Sequence, residues 1–203
     1  MLSRWARRWT PQLFLPMTNL LIRLRVTPNG LTTVGLVLAV LCGWLIVLDR
    51  LIPAAGCLIL SGLLDSLDGE LARRIEREHA GGGGNRLGPF IDSAADHYGD
   101  FAVYFGLAWR AMHLSDQTTV YLVLLAMFGS LVGSHIRSRA GMVGVDTKNV
   151  GSFTRMERTL VLLAGLLSGW VKPAVGLLAV LGNVAAIQRF VYVVGKRRID
   201  PLS

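Results

Sequence analysis

Residues 31–49 read LTTVGLVLAVLCGWLIVLD, a helix-length run with no charge before its last position. A backbone crossing a bilayer must satisfy its own hydrogen bonds, which confines such a run to an α-helix. Five further segments follow, at 51–74, 89–112, 118–138, 157–171 and 173–195. Hydrophobic residues make up 52% of the 203, more than soluble domains usually carry. The expected fold is all-α integral membrane, with six transmembrane helices in one domain over 1–203 and the bundle at 27–203. The second and third segments are too polar at one end to score well as spans. Their apolar parts, of about 12–14 residues, are short for a bilayer. They are expected to be buried in the bundle, or to line a water-accessible cavity with their polar ends.

The N-terminus, MLSRWARRWTPQLF, lacks the apolar core of a secretory signal. Leu2, Trp5, Trp9 and Leu13 recur at helical spacing with Arg4, Arg7 and Arg8 between them. That pattern predicts an amphipathic helix within 1–26, lying in the membrane interface. If the six segments alternate, all of the 21 Lys and Arg residues except Arg50, Arg110 and Lys172 fall at one end. The positive-inside rule places that end and both termini in the cytoplasm of a multi-pass cell-membrane protein. The net charge of +8 fits anionic lipid headgroups or a phosphate-bearing substrate. Nucleic acid is excluded as a partner, because no basic helix stands clear of the apolar segments. Cys42 and Cys57 are isolated in apolar runs and read as packing residues. Four glycines at 81–84 form a flexible spacer; without a following Lys–Ser/Thr they are no phosphate loop.

Carboxylates at membrane depth are costly and point to function. In LLDSLDGELARR, Asp65, Asp68 and Ala72 share one helix face. Asp92 and Asp96, four apart, share a face of the next helix. Both pairs sit at the cytoplasmic ends, joined by a short inner loop, so an antiparallel helix pair brings the four together. Four carboxylates in one pocket repel unless cations neutralise them. Oxygen-only ligands suit Mg²⁺, Mn²⁺ or Ca²⁺ rather than zinc. Two such ions a few ångströms apart are a known arrangement for in-line displacement at phosphorus. Helix capping, or pairing with Arg73, Arg74 and Arg86, would explain one such residue better than four. Asp100 continues the same face and is not assigned to the site.

The pattern Asp65-x-x-Asp68-Gly69-x-x-Ala72-Arg73, followed by Gly88-x-x-x-Asp92-x-x-x-Asp96, resembles the signature of the CDP-alcohol phosphotransferases, also called CDP-alcohol phosphatidyltransferases. The resemblance implies that an acceptor hydroxyl attacks the lipid-bearing phosphorus of a CDP-lipid such as CDP-diacylglycerol, and that CMP leaves. It implies that Asp65, Asp68 and Asp92 hold metal, two ions of Mg²⁺ or Mn²⁺. Asp96 shares that site and is the general base. Pro28, Asn29, Gly30, Leu31, Gly69, Ala72, Arg73 and Asn85 match positions that bind the CDP-lipid. Gly69 and Ala72 lack bulk, so a nucleotide can approach the helix closely.

The blocks SHIRSRA, TRMER and QRF resemble the branch that makes phosphatidylinositol phosphate or archaetidylinositol phosphate. Arg137, Arg155, Arg158 and Arg189 match its acceptor-phosphate region, which implies inositol 1-phosphate as the acceptor. Guanidinium forks suit phosphate. His135 stands where that branch usually has Tyr, and Met156 where it usually has Pro. Glycerol 3-phosphate or another alcohol is the alternative acceptor. Basic residues at inner helix ends also serve simply as anchors to anionic lipid, a reading strongest for Lys196, Arg197 and Arg198. The resemblance further implies a homodimer. The reading from a different class is a divalent-cation transporter, which would place carboxylates near the midplane on broken helices. Here they sit at one helix end, beside arginines.

Overall fold

In a computed structural model, residues 16–78, 87–147, 150–151 and 153–199 are described. They are all-helical, without strands. Residues 16–23 form α1. Six longer helices follow: α2 (Pro28–Val47), α3 (Leu51–Glu78), α4 (Gly88–His113), α5 (Gln117–Met142), α6 (Arg155–Ser168) and α7 (Val171–Ile199). The expected segments and these helices agree to within a few residues. Residues 1–15, which carry the predicted interfacial helix, lie outside the described residues, as do the glycine run and Asn85.

Local chemistry sets the helix ends. Thr27 caps α2, its hydroxyl accepting from Gly30 N at 3.2 Å, and Pro28 occupies the first turn, where its missing N–H is no loss. Asp116 caps α5 by accepting from Thr119 N at 3.1 Å. Glu157 reaches back to Thr154 N at 2.5 Å to start α6, and Gly169 ends it in the left-handed region at φ 75°.

Among the described residues, four helices are long and apolar enough to cross a membrane: α2, α3, α5 and α7. This corrects one expectation, because the second segment does qualify despite its Asp motif. The third segment, α4, is long enough but too polar along its first half. The fifth, α6, has 14 residues, roughly 21 Å at 1.5 Å per residue, against a hydrocarbon core of about 30 Å. Large apolar side chains point outward all around the molecule, among them Val37, Trp44, Phe105, Tyr121, Phe128, Trp170 and Val180. An exposed apolar surface of that extent belongs against lipid.

Inside, Cys42 and Ile46 of α2, Ala54 and Ala55 of α3, Val103 and Leu107 of α4, Leu166 of α6 and Val175 and Leu178 of α7 form one core. Cys42 is fully buried, as expected; Cys57 is only partly so, and neither forms a disulfide. A second cluster at the other end of the molecule joins Leu31, Leu67 and Leu71, with Leu21 and Ile22 of α1 against them. Small residues let helices approach, as lipid-embedded packing requires. A Cβ at Gly43 would collide with the Ala102 carbonyl, and one at Gly106 with the Gly43 backbone, so α2 and α4 touch backbone to backbone. Asn183 fastens α7 to α5, donating to Leu125 O at 2.9 Å. Ion pairs close the short-loop end: Arg110 with Asp49 at 2.6 Å and Lys172 with Asp116 at 3.0 Å.

The α2–α4 contact makes a direct prediction. Gly106→Val should destabilise the protein by about 1–3 kcal/mol through overpacking. Gly56→Val, where an added Cβ meets nothing within 4 Å, should stay within about 0.5 kcal/mol of wild type. Thermal unfolding of the two variants in detergent checks the difference.

Candidate active site

α3 and α4 pack on α2 rather than along each other, and the Asp-x-x-Asp and Asp-x-x-x-Asp spacings turn carboxylates from the C-terminal half of α3 and the start of α4 toward one another. One oxygen from each of Asp65, Asp68 and Asp92 can be chosen so that all three lie within 4.8 Å of one another. Asp68 is buried at 5% exposure, and Thr32 of α2 donates to its Oδ2 at 2.7 Å. Asp92 Oδ1 is buried with no hydrogen-bond partner. A buried, unpartnered carboxylate oxygen beside two other carboxylates is costly unless a cation completes it. The three therefore fit a divalent ion, and an all-oxygen donor set suits a hard one.

Asp96 lies next to the trio. Arg155, the first residue of α6, hydrogen-bonds Asp96 Oδ2 and reaches Asp65 Oδ1 at 3.4 Å. Sequence reasoning placed Arg155 with the acceptor's phosphate; the structure puts its guanidinium on the carboxylates. Arg155 also lines the neighbouring cleft, so it belongs to both places. The other walls of that cleft include Ser130, Ser134, Arg137, Arg158 and Arg189. All four arginines singled out in the sequence thus meet in one cleft, drawn from α5, α6 and α7.

Arg189 is buried at 9% exposure and spends donors on backbone carbonyls. Nε donates to Val150 O at 3.1 Å, Nη2 to Phe153 O at 3.4 Å and Nη1 to Gly133 O at 3.5 Å. It therefore clasps the segment entering α6 to α5 and α7, a task its sequence position did not reveal.

Of the residues matched to CDP-lipid binding, Asn85 lies outside the described residues and the others stand on α2 and α3. An added Cβ at Gly69 would find the Arg73 guanidinium nearest, at 3.5 Å. Arg73 is 59% exposed and pairs with Glu70 at 2.9 Å. Ala72 is exposed. The Pro28–Leu31 turn opens α2 close to the start of α4, where a Cβ on Gly88 would sit 4.0 Å from Asn29 Oδ1. The Leu31 side chain packs on Leu67 and Leu71, so its backbone is the part available to a ligand. Thr32 and Glu70 were missed in the sequence. The one signal for Thr32 was its place one helical turn after Pro28, in the same turn motif.

Comparison with known proteins decides the family. A profile of the CDP-alcohol phosphatidyltransferases matches residues 25–189. The chain belongs to the CDP-alcohol phosphatidyltransferase family. An archaetidylinositol phosphate synthase of Pyrococcus horikoshii is 34% identical over 87% of this chain and 88% of its own length. A crystal structure of Mycobacterium tuberculosis phosphatidylinositol phosphate synthase with CDP-DAG bound superposes with a TM-score of 0.77 at 30% identity, covering 92% of this chain and 94% of that one. The same enzyme in complex with manganese and citrate gives 0.76, also at 30% identity, over 88% and 87% of the two chains. The protein is thus a membrane enzyme of phospholipid biosynthesis that transfers a group from a CDP-lipid to an alcohol. Membership decides for the transferase over the cation transporter.

The Thr32 hydroxyl fixes the Asp68 carboxylate, and partners that orient a metal ligand typically matter about 10–100-fold in affinity. Thr32→Val should weaken Mn²⁺ binding by that factor, read by electron paramagnetic resonance titration. Unchanged affinity would remove Thr32 from the site.

Proposed function

We propose that the chain transfers a phosphatidyl-type group from a CDP-lipid, CDP-diacylglycerol or an ether analogue, to inositol 1-phosphate, releasing CMP. The observation that carries this reading is Arg155, which belongs both to the carboxylate cluster and to the arginine-lined cleft. An acceptor whose phosphate lies among Arg137, Arg155, Arg158 and Arg189 has its hydroxyl within reach of the carboxylates. The names of the similar proteins, phosphatidylinositol phosphate and archaetidylinositol phosphate synthases, support the same acceptor.

In this reading Asp65, Asp68, Asp92 and Asp96 hold two Mg²⁺ or Mn²⁺ ions. Bound there, the ions offset diphosphate charge and stabilise the departing CMP. Gly69, Ala72, Arg73, Asn85 and the Pro28–Leu31 turn hold the CDP moiety. Arg155 engages Asp96 Oδ2, which leaves Oδ1 to take the proton from the acceptor hydroxyl. The hydroxyl oxygen then attacks the lipid-bearing phosphorus. The bond from that phosphorus to the oxygen of CMP breaks, and CMP leaves with the electron pair. Positioning the two substrates supplies a further share of the acceleration.

The same reading makes 1–203 one membrane domain, with α2 to α7 as six crossings and an interfacial helix before them. Both termini and the site face the cytoplasm of the cell membrane, where CDP-lipid headgroups and soluble acceptors meet. The working unit is a homodimer.

Release of CMP by the purified protein, with CDP-diacylglycerol and Mg²⁺ or Mn²⁺, tests this. Inositol 1-phosphate should support metal-dependent release well above glycerol 3-phosphate, free inositol or serine. Preference for glycerol 3-phosphate would replace the acceptor and keep the chemistry. Asp96→Asn should lower turnover by about 10²–10⁴-fold while the protein remains folded. Wild-type-like turnover in that variant would remove Asp96 as the base.

A further inference from the structure

Asp100 and Ser130 have no part in the assignments above, yet they are wired to one of the cleft's arginines. Asp100 lies one turn beyond Asp96 on α4. Ser130, in the middle of α5, is 5% exposed. Its hydroxyl donates to Asp100 Oδ2 at 3.2 Å and accepts from Arg158 Nη1. Arg158 Nη2 stands 3.9 Å from the same Asp100 oxygen. A hydroxyl has one proton to give and lone pairs to receive with. With its proton committed to Asp100, Ser130 presents a lone pair to Arg158.

The register explains why these groups meet. Asp96 and Asp100 are four apart on α4, and Arg155 and Arg158 are three apart in the first turn of α6. The pairs match rung by rung, Arg155 with Asp96 and Arg158 with Asp100. The Arg158 side chain is 15% exposed. A guanidinium that buried needs a counter-charge, and the cleft's other cations repel it. Holding one edge of the fork leaves the remaining N–H groups for a ligand in the cleft. Packing alone has no need of a Ser–Asp pair at this depth, where polar groups are expensive.

We propose that Asp100 and Ser130 are positioning residues that aim Arg158 into the cleft and so set its affinity for the phosphate of the acceptor. This rests on the reading of the cleft as the acceptor-phosphate site. A tie that served only to join α4, α5 and α6 would lower stability and would not distinguish one substrate from the other.

The test uses Asp100→Asn, Ser130→Ala and Arg158→Ala in the full-length protein. Two readouts are needed: KM for phosphorylated acceptor and for CDP-diacylglycerol, and affinity for inorganic phosphate by calorimetry in detergent. Asp100→Asn and Ser130→Ala should each raise the acceptor KM and weaken phosphate binding by about tenfold, the scale of one hydrogen bond to a charged group. The KM for CDP-diacylglycerol should not move. In the Arg158→Ala background neither change should have a further effect, because both act through Arg158. Asp100→Glu should recover part of the loss. Equal rises in both KM values, unchanged phosphate affinity, or full additivity with Arg158→Ala would overturn the proposal. If wild type binds phosphate through these residues but turns over no phosphorylated alcohol, the acceptor reading fails and the positioning role stands. A wild type that binds no phosphate overturns both.

Discussion

Three carboxylates with oxygens inside 4.8 Å of one another repel, and the inner half of the molecule is arranged around that repulsion. Asp65, Asp68 and Asp92 are held there by two helices that are anchored through their apolar halves in the packed core, and Asp68 is itself buried. Relief comes from three sides. Thr32 donates to Asp68, Arg155 draws on Asp65 and Asp96, and the unpartnered oxygen of Asp92 is left for a cation. The folded chain thereby stores an electrostatic demand that a hard divalent ion would answer.

Close helix packing makes this arrangement possible. Gly43 and Gly106 bring α2 and α4 to backbone contact, which sets the Pro28–Leu31 turn beside the start of α4, while the packing of α2 on α3, where Ser61 donates to Gly35 O at 2.9 Å, carries Thr32 up to Asp68. The polar character of α4 and the shortness of α6 have one cause. Both helices present charged residues to the interior of the inner half, where Asp96 meets Arg155 and Asp100 meets Arg158. α6 begins at the depth of the carboxylates because its first turn must deliver those two arginines. Arg189 completes the assembly by clasping the segment that leads into α6.

Much of this was legible along the chain. The apolar runs marked six helices to within a few residues, since a backbone in lipid has no other way to satisfy itself. The two Asp motifs marked four carboxylates, three of which converge closely enough to suit a metal ion, and the reaction family, because carboxylates at those spacings on apolar helices have few other uses. The four arginines were also found, and they do line one cleft. Thr32 and Ser130 were missed, and Asp100 was seen on the Asp face without a role, because all three gain their roles from partners on other helices. Arg155 was assigned by its neighbours in sequence, and its guanidinium answers to carboxylates 59 and 90 residues away.

The sequence by itself determined the helices, the end of the bundle that carries the chemistry and the class of that chemistry. All three follow from hydrophobicity, helical periodicity and charge, which act locally. Tertiary structure alone decided which carboxylates converge, which arginine bridges to them and which hydroxyls orient them. Those are contacts between side chains far apart in the chain. They depend on how closely two helices approach and at what register, and a few glycines settle that through backbone sterics.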